Sequence, residues 1–208
     1  LPQTWDELTA ETLPSLNQYN MDFAINATAG TGGGGAIAAS GSLLHFMMLY
    51  SQNGGTLYTQ DKLDSTLDSD LAYMSFRQYT DLYTRYNISF GQNFYNQFNI
   101  GRIPLAIGGL YDYLQLDVAA PGIFGKWDIA PVPGVKNESG IIDRSVFGSV
   151  TSLMVFDYNQ KSEKGWEFIK WWTSEETQVA YSNELETLLG VLGRHPTSNK
   201  NALKNLAW

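Results

Sequence analysis

The stretch Phe98-Asn99-Ile100-Gly101-Arg102-Ile103-Pro104-Leu105-Ala106-Ile107-Gly108-Gly109-Leu110-Tyr111-Asp112-Tyr113 decides the architecture. Ile103 to Ile107 reads as a short buried strand, preceded by a short helix Phe94 to Asn99 that Gly101 closes. Gly108-Gly109 breaks the strand, and a helix runs from Tyr111 to Ala120 until Pro121 ends it. Strand, glycine turn and helix in this order predict an α/β fold. Ligands in open α/β sheets collect beyond the carboxyl ends of strands, and this strand delivers Gly108, Gly109, Tyr111, Asp112 and Tyr113 to such a place.

Towards the N-terminus, Thr4-Trp5-Asp6-Glu7 is a capping box that starts a helix, which Pro14 kinks or restarts. A short apolar stretch, Phe23 to Ile25, precedes a small-residue run from Thr28 to Ser42 that holds four consecutive glycines, Gly32 to Gly35, and reads as a flexible loop or hinge. Those glycines lack the Lys-Ser or Lys-Thr pair or the spaced fingerprint of a phosphate loop. Leu43 to Tyr50 is dense enough in apolar side chains for a buried helix, stopped by Asn53-Gly54-Gly55 before an extended piece, Thr56 to Tyr58. Ser69 caps the next helix, where Ala72, Phe76, Tyr79, Tyr83 and Tyr86 recur at steps of four and three. That stripe is expected to be core, since aromatic lines at helical spacing are ordinarily buried.

Towards the C-terminus, Trp127 to Ala130 and Val150 to Phe156 are strand candidates separated by the turn-rich Pro131 to Gly140. Ser162 caps a helix through Trp166, Phe168, Ile169 and Trp172, and Thr173-Ser174-Glu175-Glu176 is a second capping box whose helix Gly190 closes. A last short helix starts near Asn199, with Ser198 as its cap.

The chain's 208 residues, 43% of them hydrophobic, suffice for one sizeable core or two small lobes. Net charge is -8, the wrong sign for tracking nucleic acid or an anionic membrane. Zero cysteines remove thiol nucleophiles, disulfides and thiolate metal sites. No run of about 18 apolar residues exists to span a bilayer. Leu1 opens directly onto Pro2, Gln3 and a helix start, with no signal peptide, so the chain is expected to be an excerpt of something longer. The 12 Tyr and 6 Trp join an apolar face to a polar handle, which suits sugars as well as a core.

Enzymatic readings find little support. His45 and His195 are the only histidines, no Gly-x-Ser-x-Gly elbow or His-Glu-x-x-His motif exists, and no calcium loop follows Asp157. Asp112, Asp117, Asp128 and Asp143 could supply a glycosidase pair, but solvated surface acids account for them. His45 lies on an apolar helix, where core or edge packing competes with a ligand role. Asn26, Asn87 and Asn137 stand in glycosylation sequons.

Five stretches, in order, carry a resemblance to a known family: Leu1-Pro2-Gln3-Thr4-Trp5-Asp6-Glu7-Leu8; Gln52-Asn53-Gly54-Gly55; Phe98 to Ile107; Ala130-Pro131-Val132-Pro133-Gly134; and Lys164 to Gln178, with Trp166-Glu167-Phe168 and Thr173-Ser174-Glu175 at its heart. Together they resemble the family 1 extracellular solute-binding proteins of ABC importers, the maltose-binding-protein-like group. The resemblance implies an α/β fold of the type II periplasmic-binding-protein kind, mostly the C-terminal lobe, its sheet flanked by helices. It implies one α/β lobe over residues 1–208, with 127–156 as a hinge or inter-lobe segment and the N-terminal lobe absent. The implied function is binding of an oligosaccharide for import, without catalysis, cofactor or metal. The implied partners are ABC permease subunits, for a monomer held outside the cell or in the periplasm as part of a lipoprotein. The resemblance puts a sugar-stacking aromatic at Tyr111 and brings the loop Gly193-Arg194-His195-Pro196, with Arg194 as a donor, towards the cleft; beside these, Tyr113 is read as a second stacking ring, Asp112 as an acceptor from hydroxyls at the rim, and His45 as a further candidate. Two other readings stand beside it: a fragment of a polysaccharide-processing hydrolase, and an interaction module without a small ligand.

Overall fold

The structure, a computed structural model, describes residues 1–26, 38–89, 93–146, 152–156 and 162–206, leaving out the side chains of 38–42 and 110–111. The glycine run at 32–35 lies outside the described residues. Two compact units emerge, Leu1–Phe147 and Gly148–Trp208.

The first unit starts as its capping residues dictate. Thr4 Oγ1 accepts from the Glu7 amide at 3.2 Å, and Glu7 Oε2 accepts from the Gln3 amide at 2.6 Å, so the reciprocal half of the box closes one residue earlier than expected. Helix α1 (Trp5–Glu7) runs through a π-helical turn, Leu8–Thr12, into α2 (Leu13–Gln18), whose first turn holds Pro14. A proline has no N–H to continue the ladder and crowds the carbonyl four residues back, which accounts for the widened turn just before it.

Strand β1 (Phe23–Ile25) then pairs in parallel with β2 (Leu105–Ile107), Ala24 opposite Ala106. Between them lie helices α3 (Ala38–Gln52), α4 (Asp70–Thr84) and α5 (Phe94–Asn99), and after β2 comes α6 (Leu110–Ala119). Side chains alternate along β1. Phe23 and Ile25 enter one cluster with Trp5, Leu8, Leu49 and Leu82, while Ala24 enters another with Phe94, Ile103, Leu116 and Ala120. Both sheet faces are therefore covered by helices, as parallel strands require. Each fully buried Leu, Ile or Phe contributes about 1.5–3 kcal/mol, so the double-sided sheet is the stable centre of this unit.

Gln52, the last residue of α3, is buried and polar. Its Oε1 accepts from Trp5 Nε1–H at 2.7 Å, and its Nε2 donates to the carbonyls of Pro133 and Ser145 at 3.3 and 3.1 Å. Gly54, at φ 90°, then reverses the chain.

Several expectations are corrected. Of the stripe, Ala72 is buried, and Tyr79, Tyr83 and Tyr86 are half-buried against the cluster of Leu8 and Leu82, but Phe76 is 52% exposed. Helix and core have slightly different repeats, so one position of a five-residue stripe rotates out. Trp127 to Ala130 and the described part of Val150 to Phe156 form no strand. Trp127 packs instead against the cluster of Phe94 and Ile103, while Ile129, Leu153, Met154 and Phe156 are exposed. The antiparallel pair begins in the stretch read as turns and ends just past it: β3 (Val135–Lys136) pairs with β4 (Ile142–Asp143) around Asn137 and Gly140, the latter at φ 80°.

The second unit, taken by itself, comprises α7 (Ser162–Trp172), α8 (Glu175–Leu189) and α9 (Lys200–Lys204). Ser174, not Thr173, caps α8, its Oγ accepting from the Thr177 amide at 3.3 Å, and Gly190 at φ 64° ends it. Asn199, not Ser198, caps α9, accepting from the amides of Asn201 and Ala202. Asn199 Nδ2 also donates to the Thr173 carbonyl at 2.9 Å, tying α9 to the end of α7.

Candidate functional site

A cavity of about 750 Å³ opens beyond the carboxyl end of β2. The strand ends at Ile107, Gly108 and Gly109 turn the chain, and α6 begins; all these elements face the cavity together with Asp112 and Tyr113. Part of the wall is aromatic. Phe94, Phe98, Trp127 and Tyr113 follow one another with ring centroids 5.6, 6.4 and 5.8 Å apart. Phe94 is buried, whereas Phe98, Trp127 and Tyr113 are half-buried and present ring surface to the hollow. Lys126 and Asp128, both exposed, flank Trp127. Half-exposed rings with a few polar neighbours can stack on an apolar ligand face while leaving its polar groups in water. A second hollow of about 360 Å³, lined by Trp5, Asp6, Arg77 and Asp81, lies on helix surfaces and lacks the strand-end placement.

Asp112 is 4% exposed and held by three donors of the protein. Its Oδ1 accepts from Asn26 Nδ2 at 2.6 Å and from the Tyr95 hydroxyl at 2.9 Å, and its Oδ2 accepts from the Gly109 amide at 2.8 Å. Burial raises its pKa above the ordinary carboxylate value, against the opposing pull of those three donors. Burial and the neighbouring carboxylate likewise raise the Tyr95 phenol, which stays protonated and donating.

The five residues singled out from the sequence are distributed unevenly. Asp112 and Tyr113 line one cavity. Tyr111 lies on the first turn of α6, and its side chain is outside the described residues. His45 sits half-buried on α3 and does not line the cavity. Arg194 belongs to the second unit, where its Nε donates to Glu186 Oε1 at 2.9 Å and holds the loop against α8. Gly193 completes that hold, since a Cβ there would lie 2.2 Å from the Leu185 carbonyl. Asn26, Tyr95 and Trp127 were not among the five. Asn26 carried a sequon, but it is 2% exposed with its amide on Asp112, so it is no acceptor in the folded chain. Trp127 had a signal, an aromatic directly before an acid in a stretch read as strand.

Among the described residues no helix is long and apolar enough to cross a membrane, and no group of three or more His, Asp or Glu is placed to hold a metal ion. The family described as bacterial extracellular solute-binding protein matches residues 2–179. Over 98% of its length the chain shares the fold of an ABC transporter solute-binding protein from Thermotoga lettingae, solved with α-D-tagatose bound. The TM-score is 0.57 at 22% identity, over 50% of that chain. The maltose-bound MalE3 of T. maritima matches 100% of the chain at TM-score 0.60 and 20% identity, over 51% of its own length. The chain thus spans about half the length of the solved structures it matches, and its fold is that of type II periplasmic binding proteins. No curated protein matches it.

Proposed function

The chain belongs to the family of bacterial extracellular solute-binding proteins, and from that premise we propose that it is the carbohydrate-receiving lobe of an ABC importer's binding protein. The single observation that carries this reading is the aromatic cavity at the end of β2, at the place where open α/β sheets receive ligands. The relatives solved with tagatose and with maltose support a sugar as its occupant. The family places the protein outside the cell or in the periplasm. Its tethering as a lipoprotein, its monomeric state and its hand-over of sugar to permease subunits are parts of the proposal, as is a further lobe that completes the site.

In this reading Trp127 and Tyr113 stack on the sugar, and Tyr111 joins them from the first turn of α6. The ligand roles expected of Arg194 and His45 remain part of the proposal. The lobe binds and releases without chemistry. Titration with maltose, tagatose and a glycan panel, followed by NMR shifts and product analysis, tests it. Saturable binding without turnover is expected, and Trp127→Ala should weaken it by about 1 kcal/mol or more, the worth of a stacking ring. Turnover would favour the hydrolase fragment, and neither binding nor turnover the interaction module.

A further inference from the structure

The turn that ends β2 is built around a group a binding surface alone does not call for. A carboxylate loses its hydration when buried and is ordinarily found on the surface, yet Asp112 sits 4% exposed in the cavity wall. Its three donors come from three different elements: the Asn26 side chain just past β1, the Tyr95 hydroxyl on α5, and the Gly109 amide that begins α6. Asn26 grips twice, because its own amide donates to the Ile107 carbonyl at 2.8 Å while its side chain holds Asp112. The ends of both strands and the starts of two helices therefore meet at one carboxylate.

Gly108 belongs to the same arrangement. Its φ lies outside the left-handed region, so the backbone conformation does not demand glycine. Space does: a Cβ there would lie 2.5 Å from Asp112 Oδ2. The glycine is thus required by the carboxylate beside it. With Oδ1 taken by two donors and Oδ2 by the turn's own amide, three of the carboxylate's roughly four acceptor positions serve the protein.

Resting on the reading of this cavity as a sugar site, we propose that Asp112 is its positioning residue, clasping Asn26, Tyr95 and the Gly109 amide so that the turn and Tyr113 behind it keep one orientation towards the ligand. The clasp replaces the expectation of Asp112 as a rim acceptor for hydroxyls. Its parts can be cut separately. Asp112→Asn keeps an oxygen for Asn26 and Tyr95 but turns an NH₂ towards the Gly109 amide, donor against donor. Gly108→Ala pushes the carboxylate from the other side. Tyr95→Phe removes one donor and leaves the acid.

The test uses the ¹⁵N-labelled 208-residue chain with maltose as probe. Asp112→Asn and Gly108→Ala are each expected to speed exchange of the Gly109 amide and raise the maltose dissociation constant by about tenfold, as loss of a hydrogen bond to a charged group implies. Leu82→Ala, a core truncation away from the cavity, lowers stability and should leave both readouts unchanged. If Asp112→Asn does not fold, Tyr95→Phe must move both readouts in the same direction. Wild-type Gly109 exchange in the clasp variants, or a loss of maltose affinity no greater than in Leu82→Ala, would overturn the positioning role while sugar binding stood. A wild-type chain that binds neither maltose nor tagatose would overturn the sugar reading and with it the role of the clasp.

Discussion

Asp112 joins two opposed effects, burial that disfavours its charge and three hydrogen bonds that favour it, and burial prevails, so its pKa in the fold is raised above the ordinary 3.8. A raised acid binds its proton more tightly folded than unfolded. Its contribution to stability is therefore complete below about 3.8 and is lost as pH rises through the raised value. The stability of the wild type relative to Asp112→Asn is expected to fall over that window and then level, measured by urea midpoints from acid to neutral pH. A relative gain for the wild type across the window would contradict the burial argument. Gln52 makes a plainer prediction. Gln52→Leu strands Trp5 Nε1–H and the carbonyls of Pro133 and Ser145, so a loss of about 2–3 kcal/mol is expected in denaturant unfolding, the cost of leaving buried polar groups unpaired. Glutamine's burial was not legible in the sequence, because Gln52 ends a helix beside Asn53 and Gly54, where an exposed residue is the ordinary case.

At the scale of elements, caps were legible to within a residue, whereas among the strands only β2 was read as one. Ser69 caps α4 as read, accepting from the Ala72 amide at 3.2 Å, whereas the caps of α8 and α9 each moved one position along. A cap is a bond between neighbours in sequence, so only the choice among adjacent polar residues is left open. A strand exists only when paired, and among the described residues β3 and β4 have two residues each. Their hairpin is fastened at Gly134, whose amide donates to the Gln3 carbonyl at 3.0 Å and whose carbonyl accepts from the Trp5 amide at 3.2 Å. A Cβ at Gly134 would fall 2.3 Å from the Asp143 carbonyl oxygen, a backbone atom that has little room to yield. Gly134→Ala is therefore expected to destabilise by about 1–3 kcal/mol, the range for overpacking. Hydrogen exchange should show the Trp5 amide losing protection first; unchanged protection there would mean that the hairpin shifts without releasing the N-terminal helix.

At the scale of the molecule the two units differ in kind. The first holds buried clusters on both faces of its sheet. In the second, Ala202 is the only buried hydrophobic residue among those described, while Trp166, Phe168, Trp171, Leu188 and Leu189 are exposed. Helices joined by caps and a few polar ties have little apolar burial to offset the entropy of ordering them. The isolated segment 148–208 is thus expected to melt without a cooperative transition and to bind a hydrophobic dye, whereas 1–147 should unfold cooperatively. Calorimetry of the two segments checks this, and a sharp endotherm from 148–208 would refute it.

What the sequence by itself determined are the features made by neighbours: the strand-glycine-helix unit that sets the α/β class, the helix caps, the glycine stops at Gly54, Gly101 and Gly190, and the order of motifs that pointed to the family. Local sterics and short-range hydrogen bonds suffice for these, and they survive being read one segment at a time. The tertiary structure alone decided what residues distant in sequence do to one another. Asn26 and Asp112, 86 positions apart, meet only when β1 pairs with β2. Phe98, Tyr113 and Trp127 become a single wall only once α5 and α6 are folded beside the segment that follows them. Burial belongs to this second class: whether a carboxylate faces water or three donors depends on what the rest of the chain places around it, and no single stretch of sequence states that.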